Sequence, residues 1–218
     1  MTIQKTRKRS SSIEPVQQVQ IRNIQSVDVT LRGKPGSLLV VHNFSEKAKK
    51  EIRDKQQKKA KPAKEERQPQ KECDEARYLD GEGRECIPVC ALKKAIITAA
   101  TAFDDLTKVA LRQAIFVDSL ANPGTLLLPI ELHDGSPAIG QIREDAVRIG
   151  KNVLGLAYRP AYPEWQVGVR IEYNPRLVSL EQLLALIEQA GWGVGICEGR
   201  PEKSSALGWG RFERFVAE

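Results

Sequence analysis

The chain has 218 residues, 41% of them hydrophobic, enough for one packed domain with extensions. Its charge is uneven. Residues 1–71 hold 18 Lys/Arg against 7 Asp/Glu, a net of +11, while the remainder is mildly acidic at −5. Such asymmetry points to an anionic partner, because Lys and Arg release condensed counterions when they meet phosphates. No run approaches the roughly 18 apolar residues needed to cross a membrane. The basic N-terminus lacks the apolar stretch of a secretory signal. Cys73, Cys86, Cys90 and Cys197 form no CxxC pair and no zinc spacing, so reduced thiols in a cytoplasm are expected.

In chain order, residues 1–18 read as a disordered basic arm ahead of a single α+β domain over 19–218. Val27, Val29 and Leu31 alternate on one strand face, and Gly33-Lys34-Pro35-Gly36 is turn chemistry before an extended run over 38–41. A hairpin, or a strand with a bulge, is the expectation. Ser45 can cap a helix running through EKAKKEIRDKQQKKAKPAK, which is polar all round apart from Ile52. Pro62 stops it, and 61–76 reads as flexible linker. Residues 45–76 are thus a protruding basic helical insertion.

Asp80 to Glu85 makes a glycine-containing polar turn. Pro88 suits the first turn of a helix whose apolar stripe is Leu92, Ala95, Ile96, Ala99, Ala100 and Phe103. Lys93 and Lys94 fall off that stripe near the helix start, where cations oppose the helix dipole; an anionic ligand would explain them, and ordinary surface lysines are the alternative. Strands are expected over 112–118 and 125–132, a polar segment over 143–151, and strands over 153–158 and 165–173, with a rigid turn over 159–164 between the last two. Ser179 and Gln182 form a capping box for a helix with Leu180, Leu183, Leu184, Ile187 and Ala190 on its apolar face. Gly191 closes it, 193–196 reads as a short buried strand, 199–210 as a loop and 211–216 as a last strand. The order fits an antiparallel sheet with helices on one face.

A strand ending in Glu172-Tyr173-Asn174, a capped helix, Gly191-Trp192-Gly193-Val194-Gly195 and Leu207-Gly208-Trp209-Gly210-Arg211-Phe212 together resemble the C-terminal part of the RAMP superfamily, especially the Cas7-like backbone subunits of CRISPR complexes. Residues 87–95 are similar to the segment that opens the family's first helix near bound RNA, although Cys90 stands where a serine is usual. The resemblance implies a ferredoxin-like or RRM-like fold with a glycine-rich loop. The compact, basic character also suits a bacteriophage or other mobile-element protein sharing that fold, working in a bacterial cytoplasm.

The expected function is non-catalytic binding of single-stranded RNA or DNA, either as a single copy or in a homo-oligomer or protein complex, with no cofactor, no metal and no membrane. The candidate contacts are Lys49, Lys50, Arg53, Lys58 and Lys59 in the insertion, Lys93 and Lys94, then Arg148, Lys151 and Arg159, and finally Arg200, Lys203, Trp209 and Arg211 in the glycine-rich segment. Trp209, between two glycines, is the expected base-stacking residue, whereas Trp165 and Phe212 read as core aromatics. Two other readings stand beside this one: a phage-encoded protein-interaction module that mimics a host factor or joins an assembly, and a metal-dependent ribonuclease using Asp104-Asp105. Adjacent side chains on a helix diverge, which works against a shared metal there.

Overall fold

The computed structural model describes residues 23–43, 46–57, 66–148, 154–204 and 207–216. The elements in chain order are β1 Gln25–Gly33, β2 Leu39–Val40, α1 Glu46–Gln56, α2 Pro69–Glu75, β3 Tyr78–Leu79, β4 Glu85–Pro88, α3 Val89–Ala99, α4 Lys108–Ala114, β5 Ile115–Ser119, β6 Leu127–Pro129, β7 Gln141–Arg148, β8 Leu154–Tyr162, β9 Gln166–Tyr173, α5 Leu180–Gln189 and β10 Phe212–Phe215. The main sheet has the order β10-β1-β9-β5, and every neighbouring pair is antiparallel. With α3 after β1 and α5 after β9, this is the β-α-β-β-α-β ferredoxin-like arrangement, so the α+β class holds. Two smaller sheets, β2-β8-β7 and β3-β4-β6, are built from the connections.

The core lies between the main sheet and its helices. Val29 and Leu31 of β1, Val167, Val169 and Ile171 of β9, and Ile115 and Val117 of β5 point inward by period-two alternation. They meet Leu92, Ala95, Ile96 and Ala99 of α3 and Leu183, Leu186 and Ile187 of α5. Each fully buried Leu or Ile contributes about 1.5–3 kcal/mol. The capping box is complete: Gln182 N donates to Ser179 Oγ at 3.1 Å, and Ser179 N donates to Gln182 Oε1 at 3.0 Å. Trp165 and Phe212 are fully buried core aromatics.

Six local expectations are corrected. Residues 38–41 do not form a hairpin with β1. Leu39 and Val40 pair with Tyr162 and Ala161 of β8, and the turn is held by Trp165, whose Nε1 donates to Ser37 O at 3.2 Å. Residues 69–75 are helical rather than linker, because Cys73 supplies a fully buried anchor against β8. Residues 108–114 are helical, since Thr107 caps α4 by accepting from Ala110 N at 3.2 Å, and the strand starts only at Ile115. The polar segment from Arg143 begins inside β7, paired residue for residue with β8. The turn expected over 159–164 is strand through Tyr162, because that stretch pairs on both sides. Residues 193–196 are not a strand: the α5 chain continues as a π-helical turn over Ala190–Val194 and breaks at Gly195 rather than at Gly191.

Residues 1–18, Ser45 and 58–65 lie outside the described residues. The insertion leaves and returns at one point: Asn43 N donates to Ala76 O at 2.9 Å, and Asn43 Nδ2 to Arg77 O at 3.2 Å.

Candidate nucleic-acid interface

Two surfaces of a ferredoxin-like domain can take a strand: the open face of the sheet and the ends of the helices. The open face is poorly suited. By alternation the central strands present Ser26, Asp28, Thr30 and Arg32 from β1 and Gln166, Gly168, Arg170 and Glu172 from β9, none of them aromatic. Arg170 is bound by Asp28 through two 2.7 Å hydrogen bonds, and that guanidinium holds the Asp28 carboxyl below its usual range. The exposed aromatics, Phe116 and Phe215, stand on opposite edge strands, each beneath a cation: Lys93 Nζ lies 4.5 Å from the Phe116 ring centroid and Arg32 Cζ 3.2 Å from that of Phe215. Three acidic side chains (Asp28, Asp118 and Glu172) surround Arg170. With no aromatic on its central strands and its Arg170 ringed by carboxylates, this face offers little to a stacked strand.

The other surface forms where the start of α3 meets the loop after α5. A cleft of about 380 Å³ is lined by His42, Tyr78, Cys90, Lys94, Arg200 and Glu202, among others. Lys94 is exposed on the first turns of α3. Arg200 is fixed by donating Nη1 to Cys197 O at 2.8 Å and Nε to Glu202 at 3.1 Å. Lys203, 63% exposed, lies 3.5 Å from the other oxygen of Glu202. Arg159 of β8 reaches across to Glu198 at 3.5 Å, and His42 Nδ1 meets the second Glu198 oxygen at the same distance. The hydrogen bond from His42 holds Glu198 below its ordinary range, with the charges of Arg159 and Arg200 adding to it. Burial alone would raise Glu202, but the hydrogen bond from Arg200 and the charge of Lys203 outweigh it. Burial pushes the Cys197 thiol up to about 12, so it stays neutral and unreactive at physiological pH.

The loop's far side carries Trp209. Its indole packs against Gly199, where a Cβ would come within 2.3 Å of the ring, and Trp209 N donates to Gly199 O at 3.1 Å. Arg143 of β7 covers the ring at 4.7 Å from its centroid. Arg211 anchors the same loop, donating Nε to Trp192 O at 3.2 Å and its backbone N to Ser37 Oγ at 2.8 Å. Beyond Arg159 a second cleft of about 420 Å³ opens between α2 and β8, lined by Arg67, Glu72, Leu156 and Tyr158 and bordered by Glu51 of α1.

The sequence-derived candidates therefore separate. Lys94, Arg159, Arg200, Lys203, Trp209 and Arg211 gather around the C-terminal loop. Lys93 points to the sheet edge instead. Lys49 and Arg53 stand on α1, where Arg53 Nε donates to Lys49 O at 3.4 Å. For Lys50 and Arg148 only the backbone is described, in α1 and at the end of β7; Lys58, Lys59 and Lys151 lie outside the described residues. Sequence reasoning missed His42, Tyr78, Arg143 and Glu198. The one signal for Arg143 was the period-two spacing of Arg143, Asp145 and Val147, which puts them on one face of β7. Asp104 and Asp105 are exposed beyond α3, and among the described residues no group of three His, Cys, Asp or Glu side chains could hold a metal. No helix among the described residues is long and apolar enough to cross a membrane.

No family model matches the chain, and neither does any curated protein sequence. Among solved structures it is similar to Cmr6 from Pyrococcus furiosus, at 11% identity and a TM-score of 0.41 over 89% of this chain and 100% of that one. It is also similar to a Cas6 product complex, at 15% identity and a TM-score of 0.30 over 87% of this chain and 51% of that one.

Proposed function

We propose that this chain grips a single strand of nucleic acid without cutting it, and that the strand runs over the C-terminal glycine-rich loop. One observation carries this: Lys94 from α3 and Arg200 from the loop line one cleft, at whose rim Arg159 of β8 and Lys203 pair with its Glu198 and Glu202, with the Trp209 indole on the same loop. The cations come from three separate parts of the sequence, Arg200 and Lys203 from one turn, and their carboxylate partners are fewer. Glu202 serves both Arg200 and Lys203, and Glu198 serves Arg159 together with His42. Such a cluster supplies phosphate contacts that fix a backbone, while an indole supplies sequence-tolerant stacking. The open sheet face, with no aromatic on its central strands, is left to solvent or protein.

The Lys94→Gln/Arg200→Gln double variant tests the assignment. Both side chains are solvent-accessible, so the fold should stand. For a single strand, each lost phosphate contact lowers the slope of log K against log salt by about 0.7, so the double variant should lose about 1.4 from that slope and bind more weakly at low salt. A slope equal to that of the parent protein would remove the cleft from the binding surface. In the same titrations labelled RNA should stay intact with Mg²⁺ or Mn²⁺ present, and a time-dependent break would contradict a non-catalytic role.

A second role, protein docking or self-assembly, is favoured by one feature. The β7–β8 ribbon exposes Ile142 (46%), Leu154 (75%) and Leu156 (41%), which the register puts on a common face. A concentration-dependent increase in mass that persists at high salt is the outcome expected of an apolar interface there.

A further inference from the structure

The contact between Arg143 and Trp209 joins two elements that the strand-binding cleft alone does not require to touch. Trp209 is held rigidly. Gly199 lies against its six-membered ring and leaves no room for a side chain. Arg143, from β7, lies over the ring with its guanidinium carbon 4.7 Å from the centroid. The guanidinium is aimed by Asp145, two residues on and on the same strand face, which accepts from Nε at 2.9 Å and pairs with Nη2 at 2.9 Å. Arg143 is nonetheless 41% exposed, so it is free to swing outward without disturbing the core.

A guanidinium and a nucleobase are both planar groups that compete for one indole face. We propose that Trp209 is a base-stacking platform that Arg143 caps in the unbound protein, and that a base of the incoming strand displaces the cap. This rests on the single-strand function proposed above. At an accessible site a cation over an indole is worth about two- to five-fold in an equilibrium constant. A base stacked on an aromatic side chain is worth about five- to 150-fold. The base therefore wins the face, and the displaced guanidinium remains beside the strand. The cap makes bare cations and apolar surfaces poor competitors for the platform, since neither repays the lost contact.

Tryptophan emission reads the site directly. Trp165 is fully buried and Trp192 is 62% exposed, so a Trp192→Phe background leaves Trp209 as the accessible reporter. A six-nucleotide single strand should quench Trp209 in this background. At about 0.5 M salt, where the lost charge matters least, Arg143→Ala should move the quenching midpoint to two- to five-fold lower strand concentration. Asp145→Asn, which keeps the cation and removes its aim, should move it in the same direction. Strand binding by gel shift without any change in Trp209 emission would overturn the platform and leave the proposed function standing, as would midpoints in both variants that stay put or rise. Absence of strand binding by either measure would overturn both.

Discussion

Gly210→Ala is expected to lower the stability of the folded chain by about 3–5 kcal/mol, the range of severe single substitutions. Gly210 has φ +64, a conformation that costs an L-residue about 1–2 kcal/mol. The larger part is steric. A Cβ there would lie 1.9 Å from the carbonyl oxygen of Ile196, a backbone atom that cannot rotate away. The two segments are bound to each other by Ile196 N donating to Gly210 O at 2.9 Å, and Gly210 N donates in turn to Leu38 O at 2.8 Å. Relief of the clash therefore breaks backbone hydrogen bonds that close the loop over the core. For a chain of this size each kcal/mol moves the melting midpoint by about 2–4 °C, so a fall of roughly 10 °C is predicted. Gly208 provides the internal control. It also has positive φ (+62), but its nearest neighbour would be the flexible Arg211 side chain at 3.9 Å, so Gly208→Ala should cost only the conformational strain. Equal effects at the two positions would show that the approach of Gly210 to Ile196 is not what holds this loop.

Arg77→Met is expected to be as severe for a different reason. Arg77 and Glu85 are each only 12% exposed and form an ion pair. Glu85 also accepts from Gly140 N at 2.9 Å and from the hydroxyl of the buried Tyr162, while Arg77 Nη2 donates to Gly140 O at 3.0 Å. Burial pushes the Tyr162 phenol up, and its hydrogen bond to Glu85 adds to the shift. The network pins β4, β8 and the approach to β7 at one point, so it sets where the β7–β8 ribbon leaves the domain. Removing one member of a buried pair leaves a charge without its partner, at about 3–5 kcal/mol. Arg77→Met/Glu85→Gln should recover part of that loss, because the stranded charge is gone. A double variant less stable than Arg77→Met alone would contradict this account, as would an Arg77→Met protein that unfolds at the parent's denaturant midpoint.

Much of the frame was legible in sequence because it rests on local patterns. The alternation of Val27, Val29 and Leu31, the stripe of α3 and the Ser179–Gln182 capping box are each decided by residues within a turn or two, and each is where the pattern puts it. Most of what failed depended on partners distant in sequence; the helix over 108–114, capped locally by Thr107, is an exception. Cys73 makes α2 a packed helix only because β8 lies beneath it, more than 80 residues later. β7 carries charge on both faces and so lacks a strand signature, and its register with β8 is what makes it a strand. The glycine-rich loop was recognisable as a loop, but the company that Trp209 keeps was not: Arg143 comes from a segment read only as polar, and Gly199 is required by the ring it touches. Clustering of cations followed the same rule. Lys93 and Lys94 are neighbours in sequence and face different surfaces, whereas Lys94, Arg159 and Arg200 are brought together by tertiary structure alone.

Photocrosslinking locates the strand most directly. A short single strand carrying 4-thiouridine, irradiated with the full-length protein at low salt and mapped by peptide mass, should attach within residues 89–98 and 199–211. Attachment confined to the sheet-edge peptides around Phe116 and Phe215, or none at concentrations that saturate the gel shift, would contradict a strand held at the C-terminal loop.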